Sequence, residues 1–136
     1  MLEFLESRSV VTCATLGPRG WPHLMPLWYL VREGEIWAWT YGKSQKVVNL
    51  EREPRATLQV EAGTEYQELR GVMLECDTVI HRDTPVVQAF GEDLFERYAG
   101  NRATEMVAAQ APKRVVLQFV ERRRATWDHL KLGGVY

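Results

Sequence analysis

The 136-residue chain has little of several features that mark particular classes of protein. Its only cysteines, Cys13 and Cys76, form no CxxC pair, which excludes a disulfide framework and indicates reduced thiols in a cytoplasmic protein. The formal net charge is −1, so no strong electrostatic field draws the chain to nucleic acid or to an anionic membrane. The apolar runs are strand-sized, far short of a membrane span. We therefore expect neither nucleic acid nor a membrane as a partner.

Metal-binding and targeting patterns are also scarce. Histidines 23, 81 and 129 are isolated, with no HxH or HExxH spacing, so we expect no metal site. The leading stretch "MLEFLESRSVV" has two acids and no basic region before them, which predicts no signal peptide. Hydrophobic residues make up 46%, a normal globular value, and the length favours a single domain over residues 1–136.

Hydrophobic periodicity and turn signals predict six strands and four short helices. Pro26 interrupts the second strand, which we therefore expect to be an edge or bulged there, and Gly71 is the expected bend of the long fifth strand. Most connections are hairpins, which favours a mainly β, antiparallel small barrel. The predicted strands are 8–16, 23–31, 35–41, 55–62, 66–82 and 113–130 (the last with a tail), and the predicted helices are 1–7, 44–53, 83–100 and 104–111.

The stretch "TYGKSQKVVNLERE" places two lysines at the start of the second helix. A helix N-terminus offers unpaired N–H groups and a partial positive charge, so cations are unfavourable there. Lys43 and Lys46 around the expected N-cap Ser44 therefore indicate an anion, of which phosphate is the usual one. The alternative is an ordinary capped surface helix whose lysines point into water.

Aromatic residues surround this stretch. Trp37 and Trp39 alternate on the strand that leads into it, and Trp28 and Tyr29 lie on the partner strand. Aromatic side chains beside a phosphate-binding helix start suit a ligand that has a flat ring and a phosphate group. The alternative is that these aromatic side chains fill the core of the barrel.

The segments "PHLMPLWY", "WAWTYGKSQKVVNLEREPRATLQVE", "YQELRGV" and "TWDHLKLGGVY" resemble the pyridoxamine 5'-phosphate oxidase-like split β-barrel superfamily, and within it the flavin- or deazaflavin (F-420)-dependent oxidoreductase branch. The resemblance covers residues 8–136. It implies a six-stranded antiparallel split β-barrel and a homodimer with the cofactor at its interface. The implied cofactor is F-420, with FMN as the alternative, and the implied reaction is hydride transfer to a small unsaturated or quinone-like substrate.

The resemblance also implies which residues hold the cofactor. The second strand would lie along the ring, the end of the third strand and the helix start would hold the phosphate arm, the fifth strand would approach from the side, and the tail would cover the site from the other subunit. The residues along the ring are Met25, Pro26, Leu27 and Trp28, and those at the phosphate arm are Trp39, Thr40, Lys43, Ser44, Lys46 and Asn49. The fifth strand contributes Arg70 and Gly71, and the tail contributes Trp127 and Lys131.

The chain departs from true pyridoxamine phosphate oxidases, which usually have arginine where it has Met25 and Gln45, and which carry a C-terminal arginine motif that it lacks. Vitamin B6 oxidation is therefore not expected, and F-420 is preferred over FMN. The cofactor carries the hydride chemistry, so no catalytic side chain is strictly needed. His129, beside Asp128, is the better acid–base candidate among the histidines.

Two other functions stay open at this point. The first is a non-catalytic carrier of FMN or F-420 that has the same pocket. The second is a barrel that binds single-stranded nucleic acid through its tryptophans and the basic run Arg122–Arg124, against which the net charge argues. That run is otherwise a solvated face or a contact for the acidic tail of F-420.

Overall fold

The computed structural model describes residues 1–131; the tail residues 132–136, part of the resemblance above, lie outside the described residues. Six strands and four helices alternate with short turns. The strands are β1 (Val10–Leu16), β2 (Pro22–Arg32), β3 (Glu35–Tyr41), β4 (Arg55–Ala62), β5 (Arg70–His81) and β6 (Arg114–Asp128), and the helices are α1 (Leu2–Ser7), α2 (Gln45–Arg52), α3 (Thr84–Ala99) and α4 (Thr104–Gln110).

The strands close into a barrel in the order β1-β2-β3-β6-β5-β4, and every neighbouring pair is antiparallel. The predicted mainly β, six-stranded antiparallel barrel with short helices is confirmed. Two apolar clusters hold it together. One fills the barrel interior, and the other lies between β6 and α3 around Phe90 and Val116, with Trp37 and Trp39 packed against it.

Strand β2 changes partner along its length. It pairs with β1 from Pro22 to Trp28, but with β3 only from Tyr29 to Arg32. Pro26 lies opposite Thr12 in the half whose only partner is β1. The prediction that the strand is locally an edge at this proline is confirmed, and the sheet is open between β2 and β3 beside the start of α2.

The fifth strand differs from the sequence-based prediction. Residues Tyr66–Glu68 form a 3-10 turn, so the strand begins at Arg70 and not at residue 66. The irregularity of its pairing with β6 falls between Glu75 and Cys76, so the predicted bend at Gly71 is wrong. Gly71 serves close packing instead, because a Cβ there would lie 2.5 Å from Trp127 Cζ2 and 2.7 Å from the Val60 carbonyl oxygen.

One outer face of the barrel carries large exposed apolar side chains. Val11, Cys13 and Thr15 of β1 are buried, whereas Val10 and Leu16, which point the other way, are 46% and 43% exposed. On β2, which pairs with β1, Leu24 is 61% exposed. Within residues 1–131, none of the helices is long and apolar enough to cross a bilayer.

Candidate functional site

Lys46 lies at the end of the barrel, in the first turn of α2. Only 6% of its surface is exposed, and its Nζ donates a hydrogen bond to Thr40 Oγ1 at 2.9 Å. Strand alternation explains the partner, because Ile36, Ala38 and Thr40 are the buried residues of β3. The alternative of a solvated lysine is therefore wrong for Lys46, whereas Lys43 is exposed.

A second hydrogen-bonded pair ties α2 to β1. Asn49 is fully buried, and its Nδ2 donates to Thr15 Oγ1 at 3.0 Å. Gln45, one turn earlier, donates from Nε2 to Asn49 Oδ1 at 2.7 Å. Thr15 and Thr40 come from different strands, so α2 closes the barrel end with a polar layer.

The charge of Lys46 is poorly compensated. Burial lowers the pKa of its ammonium group; the Cys13 thiol raises it, and the Arg114 guanidinium lowers it further. Burial raises the pKa of Cys13 itself to about 12, so this thiol is neutral near pH 7 and supplies no anion. Lys46 forms no ion pair with any residue of the described chain. A buried cation without a carboxylate partner is unfavourable, and an incoming anion would relieve that cost.

Ser44 occupies the N-cap position of α2, as predicted, but its side chain makes no capping bond. Its Oγ is buried and has no hydrogen-bond partner in the part of the chain that the structure describes. The expected capping interaction is therefore wrong, and the buried hydroxyl at the helix start remains available to a ligand that reaches it.

The residues predicted to lie along a cofactor ring are divided between two environments. Met25, Pro26 and Trp28 are exposed at the open half of β2, whereas Leu27 points into the barrel. The Trp28 ring lies against Tyr98 of α3, with 5.0 Å between ring centroids. Alternation along β2 places Met25 on the same face as Leu27 and places Pro26 and Trp28 on the outer face, so the three exposed side chains do not form one surface.

Trp39 lies apart from this polar layer. It points to the opposite face of β3 from Thr40, where its ring meets Phe95 edge-on at 5.9 Å and contacts Gly91 of α3 closely. The Arg114 guanidinium lies over the indole at 4.8 Å. The structure thus groups Trp39 with the helical layer and not with Lys46.

The remaining predicted cofactor residues form a second group. Arg70, Gly71, Trp127 and Lys131 all line one cavity of about 360 Å³, next to Phe4. Trp127 is twelve residues further along β6 than Val115, the partner of Thr40. With Trp39 against α3 as well, the predicted residues do not form one site within a single chain.

Two of the three histidines have clear structural roles. His129 is buried in the turn after β6, where Nδ1 lies 2.6 Å from the Tyr66 carbonyl oxygen and its backbone N–H donates to the Leu69 carbonyl. His81 Nε2 lies 2.9 Å from Gln118 Oε1, and its ring stacks on Trp37 at 5.3 Å. The contacts of His81 are those of a structural residue, and the contacts of His129 anchor the turn after β6 to the Tyr66–Leu69 segment.

The basic run on β6 is paired with acids. Arg122 lies 2.6 Å from Asp77, Arg123 lies 3.8 Å from Glu75, and Arg124 lies 2.7 Å from Glu121. A run whose charges are already balanced is a weak attractor for nucleic acid or an acidic tail. Among residues 1–131 there is no group of three potential metal ligands.

Sequence reasoning missed Thr15, which completes the polar layer. Strand alternation could have identified it, because in "VVTCATL" Thr15 points to the same side of the strand as the buried Val11 and Cys13. A threonine directed inward at a strand end predicts a polar partner. Its partner, Asn49, came from the family resemblance alone.

Comparison with known proteins identifies the family and the fold of the chain. The family model described as pyridoxamine 5'-phosphate oxidase matches residues 1–128. A conserved hypothetical protein from Mycobacterium tuberculosis is 42% identical, with a TM-score of 0.88 over 97% of this chain and 84% of that chain. No curated protein matches the chain.

More distant structures share the fold alone. An F420 reductase is 22% identical, with a TM-score of 0.75 over 90% of this chain and 94% of that chain. HutZ, the heme storage protein from Vibrio cholerae, is 12% identical, with a TM-score of 0.72 over 93% of this chain and 89% of that chain.

Proposed function

Because the chain belongs to the pyridoxamine 5'-phosphate oxidase family, we propose that it is a flavin- or deazaflavin-dependent oxidoreductase. It transfers a hydride between bound F-420, or FMN as the alternative, and a small unsaturated or quinone-like substrate. The observation that carries the proposal is the buried Lys46, which has no carboxylate partner in residues 1–131 and sits at the start of α2 beside an open strand.

The residues present fit a cofactor with a phosphate and a flat ring. Lys46 supplies the buried positive charge, the unpartnered Ser44 hydroxyl supplies a further bond, and Lys43 adds charge from solvent. The exposed half of β2 offers the ring its accessible backbone and the Met25 side chain, whereas Trp28 lies on the outer face against Tyr98.

The cofactor, when bound, supplies the hydride. The contribution of the chain is to bind and orient it. Thr40 holds Lys46, and Asn49 holds α2, through hydrogen bonds that exist before any ligand binds. Ligand binding therefore costs little further conformational entropy at these residues. The apolar β2 surface favours a site from which water is excluded.

F-420 is the preferred cofactor in this proposal. Met25 and Gln45 stand where true pyridoxamine phosphate oxidases usually have arginines, and the Gln45 amide is already bonded to Asn49. The site therefore offers fewer charges to the terminal phosphate of FMN. Parallel fluorescence titrations should give the lower dissociation constant for F-420; tighter binding of FMN, or a yellow protein as purified, would count against this preference.

The proposal includes a homodimer. Arg70, Gly71, Trp127 and Lys131 line a cavity apart from the Lys46 layer, so a site built from both groups requires two copies of the chain. The exposed apolar residues of β1 and β2 offer a surface for that association.

A non-catalytic carrier is the second candidate, because the same fold occurs in a protein named for heme storage. Turnover separates the two functions. Chemically reduced cofactor, bound under anaerobic conditions, is mixed with a panel of quinones and conjugated carbonyl compounds, and the return of the oxidised spectrum is followed. An oxidoreductase accelerates this return over free cofactor with at least one acceptor, whereas a carrier binds the cofactor and slows or leaves unchanged the reaction with all of them.

A further inference from the structure

Within residues 1–131, His23 is the histidine whose side chain makes no hydrogen bond, since His81 and His129 both have partners. Its Nδ1 is buried and has no hydrogen-bond partner among the described residues. A buried polar atom without a partner costs about 1–3 kcal/mol, and native structures leave few of them without a reason. An imidazole in this state requires a structural or functional explanation.

The position of His23 supplies one. It lies opposite Thr15 in the β1–β2 ladder, so the two side chains are neighbours on one face. Thr15 is bonded to Asn49 of α2, within the polar layer. His23 and Gln45, the first residue of α2, also line the same cavity of about 280 Å³. The imidazole is therefore adjacent to the start of α2.

The charge of this cavity suits an anion. Its lining includes Arg19, which forms no ion pair with any described residue, and contains no aspartate or glutamate. No hydrogen bond to a residue of 1–131 holds the His23 ring in one orientation, so the ring can turn to present a nitrogen to a ligand. The exposed Trp21 forms the rim of the cavity.

We propose that His23 contacts the phosphate of the cofactor directly and replaces part of the binding that the arginines absent at positions 25 and 45 would provide. This inference rests on the function proposed above and adds a specificity-determining residue to its site. The ligand chemistry is a phosphate ester, either the monoester of FMN or the diester of F-420.

Pairs of ligands that differ in the phosphate test the proposal. Parent, His23→Phe and His81→Phe are titrated with FMN and riboflavin, and with F-420 and its phosphate-free deazariboflavin core. The comparison uses the ligand pair that the parent binds. His23→Phe is expected to raise the dissociation constant of FMN or F-420 by about 10-fold or more. The dissociation constant of riboflavin or the deazariboflavin core should change less than about 2-fold. His81→Phe is the matched control and should change neither.

Melting of the apo proteins tests the same inference without a ligand. His23→Phe removes an unpartnered polar atom and should melt no lower than the parent, whereas His81→Phe loses its bond to Gln118 and should melt lower. Equal losses for both members of a ligand pair, no loss for either, or a drop in melting temperature like that of His81→Phe would overturn the role of His23. A parent that binds none of the four ligands would overturn the proposed function, and this inference with it.

Discussion

Lys46 and Thr40 are joined across the barrel end by a hydrogen bond of 2.9 Å, which holds a buried ammonium group against a strand that ends beside it. A neutral hydroxyl orients the cation but does not neutralise it. The bond therefore fixes the position of the charge and leaves its electrostatic demand for an anion unmet.

Replacing Lys46 by methionine should separate ligand binding from stability. The variant loses a charge-assisted hydrogen bond worth about 1.5–3 kcal/mol, so cofactor affinity should fall about 10- to 150-fold. The apo protein should melt no lower than the parent, because the change removes a buried cation near the positive end of the α2 dipole. Fluorescence titration and thermal melts measure the two effects. Lys113→Met, at an exposed lysine, is the control. Unchanged cofactor affinity in Lys46→Met would show that the phosphate binds at another place in the protein.

Cofactor affinity should decrease as the pH rises towards 10.5, the ordinary pKa of a lysine. Burial lowers the pKa of Lys46 below its ordinary 10.5, so the free protein loses this proton earlier than an exposed lysine would, and an anion binds the charged form better. The unfolded chain holds the proton more tightly, so over the same range the parent should gain stability relative to Lys46→Met. Dissociation constants and paired melts at several pH values test both signs. An affinity that responds to pH equally in Lys46→Met would assign the effect to another group.

Ser44→Ala should cost less stability than the loss of a typical N-cap. Substitution of a capping serine usually costs about 1 kcal/mol, but Ser44 Oγ makes no capping bond here. Chemical denaturation should therefore give a decrease well below that value, while cofactor affinity falls. A stability loss of about 1 kcal/mol with unchanged affinity would mean that the hydroxyl caps the helix in solution.

Gly71→Ala should displace Trp127. The added Cβ would lie 2.5 Å from the indole and 2.7 Å from the Val60 carbonyl oxygen, and the backbone contact has little room to yield. We expect a loss of stability of about 1–3 kcal/mol and a change in tryptophan fluorescence. In the Trp127→Leu background the same alanine should cost less, because only the contact with Val60 remains. Full additivity of the two changes would show that the indole does not pack on Gly71.

Leu24→Glu should weaken the proposed homodimer and cofactor binding together. Leu24 is 61% exposed on the apolar outer face of β2, where a charge would oppose burial between two copies. Light scattering at micromolar concentration should give a dimer mass for the parent and a lower mass for the variant. Met106→Glu, at an exposed residue of α4, is the control. A monomer mass for the parent would reject the dimer.

The sequence was sufficient for the fold because local patterns and the barrel agree. Alternation, turn residues and Pro26 predicted six strands and an edge at the middle of β2, and the structure confirms both. Gly71 was misinterpreted because a glycine within a strand signals either a bulge or a close approach. Only the position of Trp127, distant in sequence, distinguishes the two.

The candidate site was less predictable, because burial depends on tertiary packing. The helix-start pattern identified Lys46 and Ser44, but it could not reveal that one is buried against Thr40 and the other has no partner. Trp39 and Thr40 are adjacent in sequence and point to opposite faces of β3. Strand alternation predicts that they point apart, but which of the two faces the interior is known only once the barrel is formed. No sequence pattern indicates that the buried Nδ1 of His23 lacks a hydrogen-bond partner among the described residues.

The closure of the barrel through β3 and β6 has a kinetic consequence. Ile36 pairs with Phe119 and Tyr41 with Arg114, so the residues of this ladder are more than seventy positions apart in the chain. The hairpins β1–β2 and β4–β5 are local and can form early, whereas this ladder must first overcome the entropy of closing a long loop. Chains dominated by such distant pairings fold in milliseconds to seconds. Until β6 pairs with them, β3 and β5 each lack a neighbour, so a chain whose barrel has not yet received its last strand exposes two unpaired edges that favour aggregation.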